Sequence, residues 1–89
     1  MPKLRLTLAF EKDYARLDDA VKRRVDAAIT RFFESPKHPG LQLERRRGMP
    51  DYWTIRASKN HRIVLRRLSE ADTYELVCVG DHDYVDKKF

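Results

Sequence analysis

The hydrophobic period of this chain changes twice, and those two changes leave few folds open. From Lys3 to Phe10, Leu4, Leu6, Leu8 and Phe10 alternate with Lys3, Arg5, Thr7 and Ala9. A period of two puts one set of side chains on each face of a strand, so a half-buried strand of about eight residues is expected there. The spacing then turns helical. Phe10, Tyr14 and Leu17 recur at one-turn intervals, and Val21, Val25, Ala28, Ile29 and Phe32 form a cleaner stripe on one helix face. Asp18-Asp19 supplies an N-cap between them, which predicts a short helix followed by a longer one. Pro36 and Pro39-Gly40 end the second helix, since proline lacks the N–H that a helix interior needs.

Beyond Gly40 the period returns to two. Residues 41–51 are irregular and strongly charged, after which Asp51 to Ser58, Arg62 to Leu68 and Thr73 to Gly80 read as three strands. Ser69-Glu70-Ala71-Asp72 makes a polar turn between the last two. Short connections favour antiparallel neighbours, and the first strand must join the same sheet to satisfy its backbone. The expected fold class is therefore α+β in two layers: an N-terminal strand, then a two-helix hairpin packed on a four-stranded, mainly antiparallel sheet, with one sheet face uncovered. The tail from Asp81 to Phe89 is expected to be short and polar until its last residue. With 89 residues and no repeats or linkers, 1–89 is read as a single domain.

Composition narrows the function. Nineteen Lys and Arg against fourteen Asp and Glu give a net charge of +5, which suits an anionic partner. The single cysteine, Cys78, excludes an internal disulfide and a Cys-based zinc cluster, and its apolar neighbours from Leu76 to Val79 mark it as a small buried hydrophobe. His38, His61 and His82 lack metal-ligand spacing, so neither metal nor cofactor is expected. No apolar stretch approaches the roughly 18 residues of a membrane span, and the chain opens on strand alternation rather than a signal-peptide core; a cytoplasmic location is expected.

Strand parity says where the charge goes. Trp53, Ile55 and Ala57 share one face of the second strand, opposite Tyr52, Thr54, Arg56 and Ser58; Ile63 and Leu65 share one face of the third, opposite Arg62, Val64 and Arg66. Pairing Ala57 with Ile63, Ile55 with Leu65 and Trp53 with Arg67 keeps the apolar pairs together, with Lys59-Asn60-His61 as the turn. A two-residue Lys59-Asn60 turn would instead bury arginines under the helices, at a cost of several kcal/mol or more, on the order expected for unpaired charges. The first register sends Arg56, Arg62 and Arg66 to the uncovered face, with Arg45, Arg46 and Arg47 adjoining. From Leu41 to Leu68 there are eight Lys or Arg residues (45, 46, 47, 56, 59, 62, 66, 67) against two acids, Glu44 and Asp51, so the positive charge is concentrated there. Arginine's planar fork binds two phosphate oxygens at once, which makes this an anion-binding candidate; a solvated face with scattered ion pairs is the plainer reading.

The order of elements, with Gly40-Leu41-Gln42-Leu43-Glu44, Tyr52-Trp53-Thr54-Ile55-Arg56, His61-Arg62-Ile63-Val64-Leu65 and Gly80-Asp81-His82-Asp83-Tyr84, resembles the RelE/ParE toxin superfamily of type II toxin–antitoxin systems over nearly the whole chain. In motif it is most similar to the YoeB-like mRNA interferases. The resemblance implies a ribosome-dependent endoribonuclease acting on mRNA without a metal, and a cognate antitoxin that silences it. By position it makes Glu44, Arg62, His82 and Tyr84 the catalytic set, although Asp83 separates a His/Tyr pair that is adjacent in YoeB-like enzymes. The strand from Thr73 to Gly80 also lacks the basic residue that RelE-like enzymes use. ParE-like members share the fold and act on DNA gyrase without cutting RNA, and a basic nucleic-acid or protein interaction domain is a third reading.

RNA carries its own nucleophile, the 2′-hydroxyl, so cleavage needs a base, a cation beside the phosphate and an acid for the leaving oxygen. On the implied assignment these are Glu44, Arg62 and His82. Arg45, Arg46, Arg47, Arg56, Lys59 and Arg66 would hold the strand, and Tyr84 would stack on a base or orient the phosphate. Each has a plainer role as well: Glu44 as neutraliser of the arginines after it, Arg62 as ion-pair partner of Asp81 or Asp83, and His82 as a hydrogen-bonded surface residue. His38 and His61 read as surface residues, and Trp53 as core.

Overall fold

The computed structural model describes residues 2–89, and it departs from the expected pattern first at Thr7. Strand β1 (Lys3–Leu6) has four residues rather than eight. Thr7 Oγ1 accepts the Phe10 N–H at 3.0 Å and lies 2.8 and 3.1 Å from the Leu76 and Val77 carbonyls, so the hydroxyl caps a helix where alternation would have continued the strand. Helix α1 (Leu8–Ala15) follows. Phe10 thus enters the core from a helix, while Leu6 and Leu8 remain 59% and 65% exposed.

Asp18 accepts the Val21 N–H at 2.9 Å and starts α2 (Asp19–Glu34), which buries Val25, Ala28 and Phe32 as the stripe predicts. After a 3-10 turn (Pro39–Leu41) come β2 (Glu44–Arg45), β3 (Tyr52–Arg56), β4 (His61–Arg67), β5 (Thr73–Asp81) and α3 (His82–Lys88). The sheet has five strands in the order β1-β5-β4-β3-β2, with β1 parallel to β5 and the other pairs antiparallel. The fifth strand is the two-residue β2, too short for alternation to reveal in a stretch expected to be irregular.

The β3–β4 register is shifted from the expected one. Ile55 pairs with Ile63, Trp53 with Leu65 and Arg56 with Arg62. The Ala57 and Ser58 N–H groups both bond the His61 carbonyl, at 3.0 and 3.3 Å, so the three loop residues are Ser58, Lys59 and Asn60 rather than 59–61. His61 is consequently the first residue of β4. The shift is even-numbered in side-chain parity, so every side chain keeps its expected face.

On one face, Ile55, Ile63, Leu65, Leu76 and Val79 pack against Phe10, Val25, Ala28 and Phe32, with Phe32 edge-on to Tyr74 at 5.1 Å. The other face is not left bare. Asp81 accepts the Tyr84 N–H at 2.8 Å and caps α3, whose Val85 is buried against Val64 and Cys78 while Phe89 reaches Tyr52. The expected polar tail is therefore a helix that covers part of that face.

Candidate nucleic-acid interface

Arg56 of β3 and Arg62 of β4 are directly opposed, and Arg62 is opposed in turn by Gly80 of β5. Like charges facing each other across strands destabilise a sheet unless something of opposite sign lies between them. Among the described residues neither arginine makes an ion pair; Arg56 Nε bonds only the Ser58 carbonyl at 3.3 Å, and the expected partners Asp81 and Asp83 are not engaged by Arg62. Arg62 Nη1 is buried with no hydrogen-bond partner. A buried donor without an acceptor costs about 1–3 kcal/mol, and an anion's oxygen would remove that cost.

Glu44 pairs with Thr54 and so occupies the same face as this row, one row along the strands and exposed. His82 is exposed at the start of α3, two residues beyond Gly80. Arg66 shares the face but lies at its far end, bound to Glu75 at 3.2 Å. Arg45 pairs with Trp53 and belongs to the opposite face, its guanidinium 6.0 Å from the indole centre. Arg46 is held by α3, bonding the Phe89 carbonyl at 2.9 Å and Asp86 at 3.4 Å. Arg47 and Lys59 are exposed in loops. Of the six residues expected to hold a strand, the structure thus brings only Arg56 beside Arg62 on this face, with Lys59 at the hairpin tip.

Tyr84 has both its ring and its hydroxyl engaged within the fold. Its ring packs over Gly80, where a Cβ would collide with it, and its hydroxyl donates to the buried Asp13 carboxylate at 2.9–3.0 Å. Lys88 Nζ donates to the same hydroxyl at 3.0 Å, and that bond raises the Lys88 pKa. Asp13 also accepts the Val79 N–H at 3.3 Å, on the stretch of β5 that extends beyond its pairing with β1. Tyr84 therefore borders the arginine row with its ring while its hydroxyl clips α3 to α1.

A sequence profile described as the ParE toxin of the type II toxin–antitoxin system parDE matches residues 4–84. The chain belongs to the ParE toxin family. Solved structures give the same fold. The YoeB/ParE toxin from Agrobacterium tumefaciens superposes with a TM-score of 0.74 at 26% identity, covering 90% of this chain and 98% of that one. The toxin of the intact E. coli RelBE toxin–antitoxin complex gives 0.71 at 23% identity, covering 91% and 96%. The archaeal RelE–RelB complex from Pyrococcus horikoshii gives 0.73 at 12% identity, covering 90% and 93%. No curated protein matches the chain in sequence.

Two groups of this ParE-family toxin escape a reading by motif. Asp13 falls on the inward face of α1 with Phe10 and Tyr14, and an acid on an apolar stripe is the signal that a buried partner exists. His61, expected in a surface turn, is half-buried with Nδ1 2.9 Å from Ser58 Oγ. It lines a cavity of about 240 Å³ with Asp13, Arg16, Asp81 and Tyr84. Its opposition to Asp81 becomes visible once the strand register is known. Among the described residues no cluster of His, Cys, Asp and Glu could hold a metal, and no helix is long and apolar enough to cross a membrane.

Proposed function

We propose that this toxin is an endoribonuclease that cuts mRNA on the ribosome. The observation that carries the reading is the opposed Arg56–Arg62 pair, unneutralised and with a buried N–H of Arg62 lacking an acceptor. A phosphodiester placed on it gains two guanidinium partners and separates two like charges. The 2′-oxygen attacks phosphorus as Glu44 takes its proton, and the P–O5′ bond breaks as His82 protonates the departing oxygen. A 2′,3′-cyclic phosphate and a 5′-hydroxyl result. Arg62 and Arg56 stabilise the extra negative charge on the phosphorus oxygens at the transition state. The Tyr84 ring, fixed over Gly80, gives a base a surface beside the row. RelE relatives are solved as complexes with RelB antitoxins, and a cognate antitoxin is inferred for this chain.

A translation-coupled cleavage assay tests the assignment. Arg62→Ala should lower cleavage by about 100-fold or more, the scale of losing one preorganised transition-state donor; His82→Ala should lose a comparable factor, about 100-fold, for its proton transfer. Variants that cut mRNA as fast as the parent would remove the proposal. A second reading, inhibition of DNA gyrase, is favoured by the parDE description of the matching family and by the engagement of the Tyr84 hydroxyl with Asp13. It predicts blocked supercoiling with mRNA intact, measured on the same purified protein.

A further inference from the structure

A second basic site lies around the hairpin tip from the arginine row, on the helix side of the sheet. Arg24 and Arg31 stand two turns apart on the same face of α2, with only Ala27 and Ala28 between them, and Gly40 and Leu41 close the far wall. Ser58 and Lys59 of the β3–β4 loop form the near wall of the cavity, which has a volume of about 350 Å³. The Arg31 guanidinium reaches across to Gly40, where a Cβ would lie in ordinary contact with its Nη1 at 3.5 Å. No acid lines the cavity, and among the described residues the side chains of Arg24, Arg31 and Lys59 have neither ion-pair nor hydrogen-bond partners. Glu34, one turn beyond Arg31, forms no ion pair with it. Three free cations around an acid-free recess give an anion receptor, and two arginine forks match phosphate oxygens.

We infer that this recess grips the phosphodiester backbone of the same RNA that lies on the Arg56–Arg62 row, holding it at a point away from the scissile bond. Continuity favours RNA over an acidic peptide. Arg56 borders the recess, bends toward the hairpin tip through its bond to Ser58, and is the direct cross-strand neighbour of Arg62. With Lys59 at the tip, the cations form one path from the α2 side to the sheet face. The inference rests on the proposed RNA-cutting reading for the identity of the strand, but its test reads binding and not cleavage.

The probe is a short 2′-O-methyl oligoribonucleotide, which cannot be cut by 2′-oxygen attack, titrated against the whole protein at several salt concentrations. The double variant Arg24→Ala/Arg31→Ala should bind at least several-fold more weakly. Its slope of log affinity against log salt should become shallower by about 0.7 for each phosphate no longer neutralised, about 1.4 for two. Arg23→Ala/Lys37→Ala removes the same charge from exposed positions outside the recess and should change the slope by much less. All four side chains are exposed, so the variants should keep the parent's circular dichroism. Equal losses in the two double variants, or an unchanged Arg24/Arg31 variant, would overturn the inference, as would a parent that does not bind the probe. An oligoglutamate peptide that displaces the probe from the parent but not from the Arg24/Arg31 variant would assign the recess to an acidic protein instead, and also overturns it. An Arg24/Arg31 variant that loses binding while Arg62→Ala still cuts like the parent keeps this site and removes the cleavage assignment.

Discussion

Gly80 determines where Tyr84 can lie, because any side chain at that position would occupy the space of the phenol ring. Gly80→Ala is expected to push Tyr84 off the sheet and break its bond to Asp13, destabilising the fold by about 1–3 kcal/mol as overpacking does, read as a lower urea midpoint. Cys78 behaves as its apolar neighbours in sequence suggest: it is buried, and burial, with the Asp13 carboxylate nearby, pushes its thiol up to about 12. The folded state therefore favours the neutral thiol. That contribution is complete below the ordinary thiol value near 9 and is lost as pH rises from there toward about 12. Urea midpoints measured across that window should fall for the parent and fall less for Cys78→Ala. In the native protein at pH 8 the thiol should resist alkylation. Arg62 is legible in the sequence because parity alone fixes its face. The inward turn of the Tyr84 hydroxyl is not, because it depends on Asp13, 71 residues away along the chain.

At the level of elements, the strands and α2 can be read from periodicity, whereas α3 cannot. Its sequence, His82 to Lys88, offers one buried apolar side chain, Val85, in a polar run. The sign of a cover is on the sheet: Val64 and Cys78 are apolar on the face that carries Arg62, and apolar side chains on an otherwise basic face require something over them. Alternation overstates β1 for the opposite reason, since it continues through Leu8 and Phe10 and only the Thr7 cap interrupts it. Val85→Ala should cost about 1.5–3 kcal/mol from the missing methyl groups and the cavity left behind, measured by denaturant unfolding. It should also loosen the Arg46 bond to Phe89, which α3 supplies.

For the molecule as a whole, β4 and β5 serve both cores. Ile63, Leu65, Leu76 and Val79 face the helix pair, and Val64 and Cys78, one step away on the same strands, face α3. Neither core can dissolve without disturbing the strands that hold the other. Unfolding should accordingly be a single transition: Trp53 fluorescence, reporting the helix-side core, and far-UV circular dichroism should give the same urea midpoint. Two separated midpoints would show that the cores come apart independently. The parallel pairing of β1 with β5 has a temporal side. Lys3 is partnered by Thr73, and Arg62 finds Gly80 opposite it only when β5 is in place. A nascent chain emerging N-terminus first must hold β1 unpaired until its partners from Thr73 to Leu76 have been made. Fragments ending before β5 would lack the strand that joins β1 to the rest of the sheet, so the arginine row cannot take its final form until β5 has emerged.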